Sequence, residues 1–329
     1  MIISRTPVRV SFCGGGTDAD WFSQTSENGG MVTSLALDRY IHVTINRRFD
    51  NRIRVSYSKL EMVDDFEDLE HELVRESMRM TGVTSGVEIT TIADIPSRGT
   101  GLGSSSSVTV GLLNALHAFA GRSVSASQLA DEACRIEIEI LGQPIGRQDQ
   151  YAASYGGINT IKFSKNGEVL VESIDISNET RSKISEEFTL IFTGQSRSAS
   201  SVLSNSVLEG KSAIANLLRI REQADEAKDF LNLGDLSKLG ALLNEAWNMK
   251  RGISSSVSNN FLDQMYERIL STGANGAKLL GAGGGGFFLV HGDVSIRQKL
   301  QIEFSEEHRM IPLNIDDTGS CIIYHDSQR

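Results

Sequence analysis

The 329-residue sequence predicts an α+β fold in two domains. Length is the first observation, since about 150 residues per domain gives two units. The second is patterning. Residues 41–45, 53–57 and 87–92 alternate apolar with polar side chains, as half-buried strands do, whereas the chain after residue 198 reads helical for roughly seventy residues. The third is order. Strands and helices mix without strict βαβ alternation, which favours α+β over a doubly wound sheet. The boundary is placed between residues 185 and 195, giving domains 1–188 and 189–329.

Each element has its own reason. After the strand at 87–92 come Pro96 and a Gly/Ser-rich turn. Behind that turn Val108, Leu112, Leu116 and Phe119 recur at spacings of four and three, a helix stripe closed at Gly121. A second helix is expected over 127–141, closed by Gly142. Strands resume at 169–176 and 188–192, and Gly234 and Gly252 interrupt the long helical region. A third Gly-rich segment, 281–286, leads into the apolar run 287–290. A helix over 294–304 and two short strands, near Ile311 and at 321–324, complete the chain.

Composition narrows the function classes. Thirty-two Lys and Arg against 42 Asp and Glu give a net charge of −10, which argues against a nucleic-acid footprint or a polybasic membrane surface. Three scattered cysteines, Cys13, Cys134 and Cys321, form neither a disulfide framework nor a zinc cage. The start of the chain lacks the order of a signal peptide, and the uncharged stretch 99–121 is too polar to span a membrane. The expectation is a cytoplasmic protein in a reducing compartment. Glycine is the distinctive entry in the composition: eleven of the 31 glycines fall in three clusters, at 14–16, 99–103 and 281–286.

Four segments carry chemistry. PSRGTGLGSSSS (96–107) sits after a strand and before a helix. Glycines permit close backbone approach, and a helix start offers unpaired N–H groups, so this is a phosphate cradle with serine hydroxyls beside it. The alternative is a loop ending in a serine N-cap. The spacing is not that of a dinucleotide fingerprint. The one Gly-Lys-Ser, at 210–212, has Asn205 where a P-loop needs glycine. RTPVRVSFCGGGTD (5–18) runs a basic strand into three glycines and Asp18, a carboxylate suited to paired hydroxyls or to capping the next helix. In EIEILGQPIGRQDQY (137–151) a helix and loop deliver Asp149, an acid placed to orient or deprotonate a hydroxyl. Glu137 and Glu139 point to different faces, so only one faces a site. KLLGAGGGGFF (278–288) puts five glycines before a buried strand, which indicates close approach to a ligand or to the other Gly-rich loop.

These four segments, in this order, resemble the GHMP kinase superfamily over most of the chain. The resemblance implies a two-domain GHMP kinase fold: an N-terminal domain like the second domain of ribosomal protein S5, and a ferredoxin-like C-terminal domain with added helices. It implies ATP in the cleft between them, held by Gly99, Thr100, Gly101, Leu102, Gly103, Ser104, Ser105 and Ser106, with Mg²⁺ on Ser105 and Glu137. Asp149 is then the base and Arg9 the cation facing the transferred phosphoryl. Gly15, Gly16, Thr17, Asp18 and Gly284 belong to the substrate side. Glycines replace the Glu-His pair of galactokinases at 15–16, which argues against galactose.

Segments 5–18, 146–157 and 193–199 are similar to the subgroup of heptose 7-phosphate kinases and related sugar-1-kinases such as fucokinase. The implied reaction is ATP-dependent phosphorylation of an anomeric hydroxyl, giving a 1,7-bisphosphate. The implied partners are ATP and a small sugar phosphate, with neither nucleic acid nor membrane, and a homodimer as an open assembly. Arg197 and Lys250, with Arg47, Arg48 and Arg147 behind them, are the cations offered for the distal phosphate. Other readings of the same fold are a different small-molecule kinase, a decarboxylase, or a non-catalytic sensor. Retention of Asp149 and of the 96–107 loop weighs against the sensor.

Overall fold

The computed structural model describes residues 1–96, 99–196, 211–254, 256–304 and 308–326. Two sheets organise it. The first contains β1 (Ile2–Cys13), β2 (Gly30–Arg47), β3 (Ile53–Ser56), β4 (Leu60–Val63), β5 (Val87–Ala93), β6 (Ile158–Phe163), β7 (Val169–Ser173) and β12 (Cys321–His325). The spine is β2. It pairs with β1 along its length, with β6 through residues 30–35 and with β5 through residues 41–47. The register of β1 slips between Pro7 and Val8, where proline has no N–H to give the ladder.

The second sheet has β8 (Phe188–Phe192), β9 (Gly276–Leu279), β10 (Phe287–His291) and β11 (Met310–Pro312), in the order β11-β8-β10-β9 with all pairs antiparallel. Strands one and two lie on opposite sides of strand three, and the fourth lies outside the first, as in a ferredoxin-like sheet. Between β8 and β9 run α7 (Lys211–Leu233), α8 (Leu236–Arg251) and α9 (Asn260–Ser271), the added helices. Between β10 and β11 runs α10 (Val294–Phe304). Gly234 and Gly252 fall at the expected breaks. The final strand returns to the first sheet and pairs with β1, so residues 321–325 belong by hydrogen bonding to the N-terminal layer.

The halves share one core. Phe12 of β1 meets Phe188 of β8 edge-on, with centroids 5.8 Å apart, and Leu35, Ala224, Leu243 and Leu289 join the same buried cluster. Burying such side chains contributes about 1.5–3 kcal/mol each. Over the first sheet lies α3 (Ser104–Phe119). Ser107 Oγ of the helix donates to the Pro7 carbonyl of β1 at 2.8 Å, and Ser4 Oγ of β1 donates to the Gly111 carbonyl of the helix at 2.8 Å, so one hydroxyl from each side holds α3 on the strand. These bonds place the start of α3 over the middle of β1, which is where the cleft opens. Among the described residues, no helix is long and apolar enough to cross a membrane.

Candidate active site

A cleft of about 1470 Å³ is lined by all three Gly-rich segments and by residues of α3, α5 (Gln148–Tyr155), α7 and α8. Its floor is the start of α3. Among the described residues, Ser125, Ser177, Asp235, Asn259 and Asp293 each cap a helix, the side chain accepting from the backbone N–H three residues on, at 2.9–3.1 Å. In contrast, α3 begins on Gly103, left-handed at φ +74° and without a capping side chain. Its first N–H groups are therefore presented to the cleft, at the positive end of the helix dipole. The serine N-cap alternative fails, because Ser104 already lies inside the helix.

The two Gly-rich loops meet backbone to backbone. A methyl at Gly101 would stand 2.5 Å from the Leu280 carbonyl oxygen, and one at Gly281 would collide with the Gly101 backbone. The expected close approach is thus between loops of different domains. Gly99, Thr100, Gly101, Gly103, Ser104, Ser105 and Ser106 all line the cleft. Leu102 does not. Its side chain is fully buried, and its carbonyl accepts from the Arg9 N–H at 2.9 Å.

The structure brings Arg9 and Asp149 together. Arg9 Nε donates to Asp149 Oδ1 at 2.7 Å, and the guanidinium also donates to the Gly101 carbonyl. One bond joins Arg9 to the base candidate, the other to the phosphate loop. Asp149 lies in the first turn of α5, whose start is held by Asp18. Asp18 Oδ2 accepts from Gln148 N at 3.1 Å, and Oδ1 accepts from Gly16 N at 2.9 Å. Asp18 does not cap the helix that follows it, α1 (Asp20–Ser23), where Ala19 is the N-cap. Burial pushes its carboxyl up, against the pull of those backbone donors.

Glu137 is fully buried, and Glu139 is exposed beside Arg135. The expected helix over 127–141 is α4 (Ala126–Cys134) followed by a π-helical turn, Arg135–Ile140, a distortion frequent at functional sites. Glu137 Oε2 accepts from Ser106 Oγ at 2.9 Å, while Oε1 has no partner. Burial raises this carboxyl to about 7, opposed by the Thr109 and Ser106 hydroxyls. Ser106 is thus the serine that meets Glu137, and Ser105 lies exposed on the cleft wall. Glu137 Oε1 and Ser105 are oxygen donors of the hard kind that a small divalent cation takes, so the residues fit Mg²⁺.

Two lysines complete the charge pattern. Lys250, in the last turn of α8, donates to the Gly281 carbonyl. Burial, with Lys278 and Arg9 nearby, lowers it to about 7. Lys278 donates to the carbonyls of Ser11 and Phe12 at 2.9 and 2.8 Å, tying β9 to the strand that leads into Gly14. Burial is the main cause lowering it to about 8. In the sequence Lys278 is only the first residue of the segment 278–288, and nothing in its spacing marks it as a strut.

Several expected residues lie elsewhere. Thr17 turns inward, donating to Gly14 O at 2.7 Å and accepting from Met31 N at 3.1 Å. Gly15 and Gly16 line the cleft, but Gly284 does not, because its amide donates to the Val257 carbonyl at 2.9 Å. Arg48 pairs with Asp50, Arg147 pairs with Asp20, and Arg47 lies over the Phe119 ring; none of the three lines the cleft. Arg197 lies outside the described residues. The cleft is also lined by Tyr57, Leu73, Ile92, Ile95 and Val108, which no local motif announces.

The arrangement is an anion cradle with carboxylates and cations around one space. Comparison with known proteins follows the same lines. Residues 69–157 match the profile "GHMP kinases N terminal domain", and residues 220–304 match "GHMP kinases C terminal". A D-glycero-alpha-D-manno-heptose 7-phosphate kinase from Campylobacter jejuni is 30% identical over 91% of both chains. Two crystal structures superpose on nearly the whole chain. A D-glycero-D-manno-heptose 1-phosphate kinase from Bacteroides thetaiotaomicron has TM-score 0.84 at 23% identity, covering 99% of this chain and 100% of its own. A putative sugar kinase from Campylobacter jejuni has TM-score 0.78 at 26% identity, covering 98% and 97%.

Proposed function

This chain belongs to the GHMP kinase family, and from that premise we propose that it phosphorylates the anomeric hydroxyl of a heptose 7-phosphate, giving the 1,7-bisphosphate. It is an ATP-dependent sugar kinase; the heptose and the position phosphorylated are the proposal. The observation that carries it is the meeting of Arg9 with Asp149 beside the uncapped start of α3, with Lys250 lining the same cleft. The 30% identity to a heptose 7-phosphate kinase over 91% of both chains supports this choice of sugar.

The residues divide the work. The α3 start and the 99–106 loop bind the ATP phosphates through backbone N–H groups and serine hydroxyls. Arg9 engages Asp149 Oδ1, which leaves Oδ2 to take the sugar hydroxyl. That hydroxyl gives its proton to Asp149 as its oxygen bonds to the γ-phosphorus. The bond from phosphorus to the bridging oxygen breaks, and its electron pair leaves with ADP. Arg9 neutralises charge on the transferred group. Glu137 and Ser105 would hold Mg²⁺, which would supply neutralisation of charge on the phosphate oxygens. Asp18 fixes the start of α5 and accepts from the sugar. Lys250 supplies a cation for the sugar's own phosphate.

A coupled ADP-release assay tests the reading over heptose 7-phosphate, fucose, mannose, galactose and mevalonate. The expected result is highest kcat/KM for heptose 7-phosphate. Preference for free fucose overturns the heptose assignment and leaves the kinase intact.

A further inference from the structure

We infer that Trp21 is a sugar-stacking residue that sets acceptor specificity at the mouth of the cleft. This rests on the reading of the site as that of a sugar kinase. The chain has two tryptophans. Trp247 is fully buried in the C-terminal core, where it meets Phe288 edge-on. Trp21 is 49% exposed and lies three residues after Asp18, lining the same cleft as Asp18, Gly15, Gly16, Pro144 and Ile145.

The exposure does not come from a loose segment. Trp21 lies on α1, and the residues around it are held. Asp20 forms an ion pair with Arg147 at 2.9 Å, Phe22 and Ser23 are buried, and Thr25 Oγ1 donates to the Trp21 carbonyl at 2.7 Å. Phe22 supports one edge of the indole, with centroids 5.9 Å apart at 85°. A backbone fixed this firmly presents a large apolar face to the cleft instead of to the core.

A pyranose suits that face. Its hydroxyls project from the rim, and its C–H bonds form apolar patches above and below. Stacking removes those patches and the indole face from water together, while the indole N–H remains free to donate to a hydroxyl or phosphate oxygen. Asp18 at the ring's rim and Trp21 against its face would hold the sugar in one orientation relative to Asp149.

The experiment reads fluorescence and kinetics. The protein is saturated with a non-hydrolysable ATP analogue and titrated with D-glycero-D-manno-heptose 7-phosphate. Wild type is expected to show a saturable change in tryptophan emission that Trp21→Phe abolishes. Trp21→Ala, which removes no core side chain, is expected to raise the sugar KM roughly tenfold, with the ATP KM within about twofold. Trp21→Phe, which keeps an aromatic face, is expected to recover most of that loss. A sugar KM within about twofold of wild type in Trp21→Ala, or an emission change retained in Trp21→Phe, overturns the inference. If wild type turns over fucose and not the heptose phosphate, the heptose reading fails by itself, and the same variants assayed on fucose decide for Trp21.

Discussion

Arg9 Nε lies 2.7 Å from Asp149 Oδ1, joining the middle of β1 to the first turn of a helix 140 residues later. The pair holds one carboxylate oxygen still and leaves the other for an acceptor hydroxyl. Asp149→Asn keeps the shape and removes the proton acceptor. Its kcat is expected to fall by about 10²–10⁴ with an unchanged circular dichroism spectrum. Near-wild-type turnover in a folded protein removes Asp149 from the role of base.

Glu137 links stability to pH. Its folded value of about 7 stands above the unfolded 4.5, so the folded state holds the proton more tightly. Stability from this group is present below about 4.5 and is lost as pH rises through about 7, by about 3 kcal/mol in all. Glu137→Gln is therefore expected to raise the Tm of the ligand-free protein at pH 8 and not at pH 5. A cation competes with that proton, so the Mg²⁺ requirement of wild type should rise as pH falls from 8 to 6. The same Mg²⁺ titration in Glu137→Gln should start higher and change little with pH; a curve matching wild type places the ligand elsewhere.

The contact between loops has its own test. Gly101→Ala puts a methyl 2.5 Å from the Leu280 carbonyl in a left-handed conformation, whereas Gly121→Ala shares the conformation, at φ +75°, and meets nothing within 4 Å. The control isolates the backbone strain, about 1–2 kcal/mol. Gly101→Ala is expected to lose clearly more stability in urea unfolding and to raise the ATP KM more than about tenfold. Equal losses in the two variants mean that the loops do not depend on each other.

Lys250 predicts a pH-dependent KM. Its amine sits near 7 because it is buried beside Lys278 and Arg9. The charged form that attracts a phosphate is populated below that value and is lost as pH rises through it. The KM for the sugar phosphate is expected to climb between pH 6.5 and 8.5. Lys250→Arg should flatten the climb, because guanidinium stays charged, and Lys250→Met should raise KM across the range. An unphosphorylated sugar should show neither effect; if it does, Lys250 serves the transferred phosphoryl instead.

Much of the fold was legible because local rules agreed with it. The helix stripe after Gly103, the strand at 188–192, the helix at 294–304 and the breaks at Gly234 and Gly252 stand where patterning put them. The 18-residue length of β2 was hidden. Residues 30–37 are buried on both faces, so the period-two signal exists only in the half-exposed segment 41–45. Chemistry-bearing motifs were legible for a related reason. Clustered glycines and lone acids are uncommon enough to be noticed without knowing what they touch.

By itself the sequence determined the α+β class, the three glycine clusters as close-approach points, and Asp18, Glu137 and Asp149 as the acids to watch. Only the tertiary structure decided which atoms meet. It put Ser106 instead of Ser105 on Glu137, turned Thr17, Leu102 and Gly284 away from the cleft, and made Lys278 a strut. It also left Trp21 on the cleft wall. The physical reason is that backbone preference and periodicity act over a few residues. Hydrogen-bond partners and burial here are set by segments as far apart as Ser11 and Lys278, which meet only when the two sheets close on their common core.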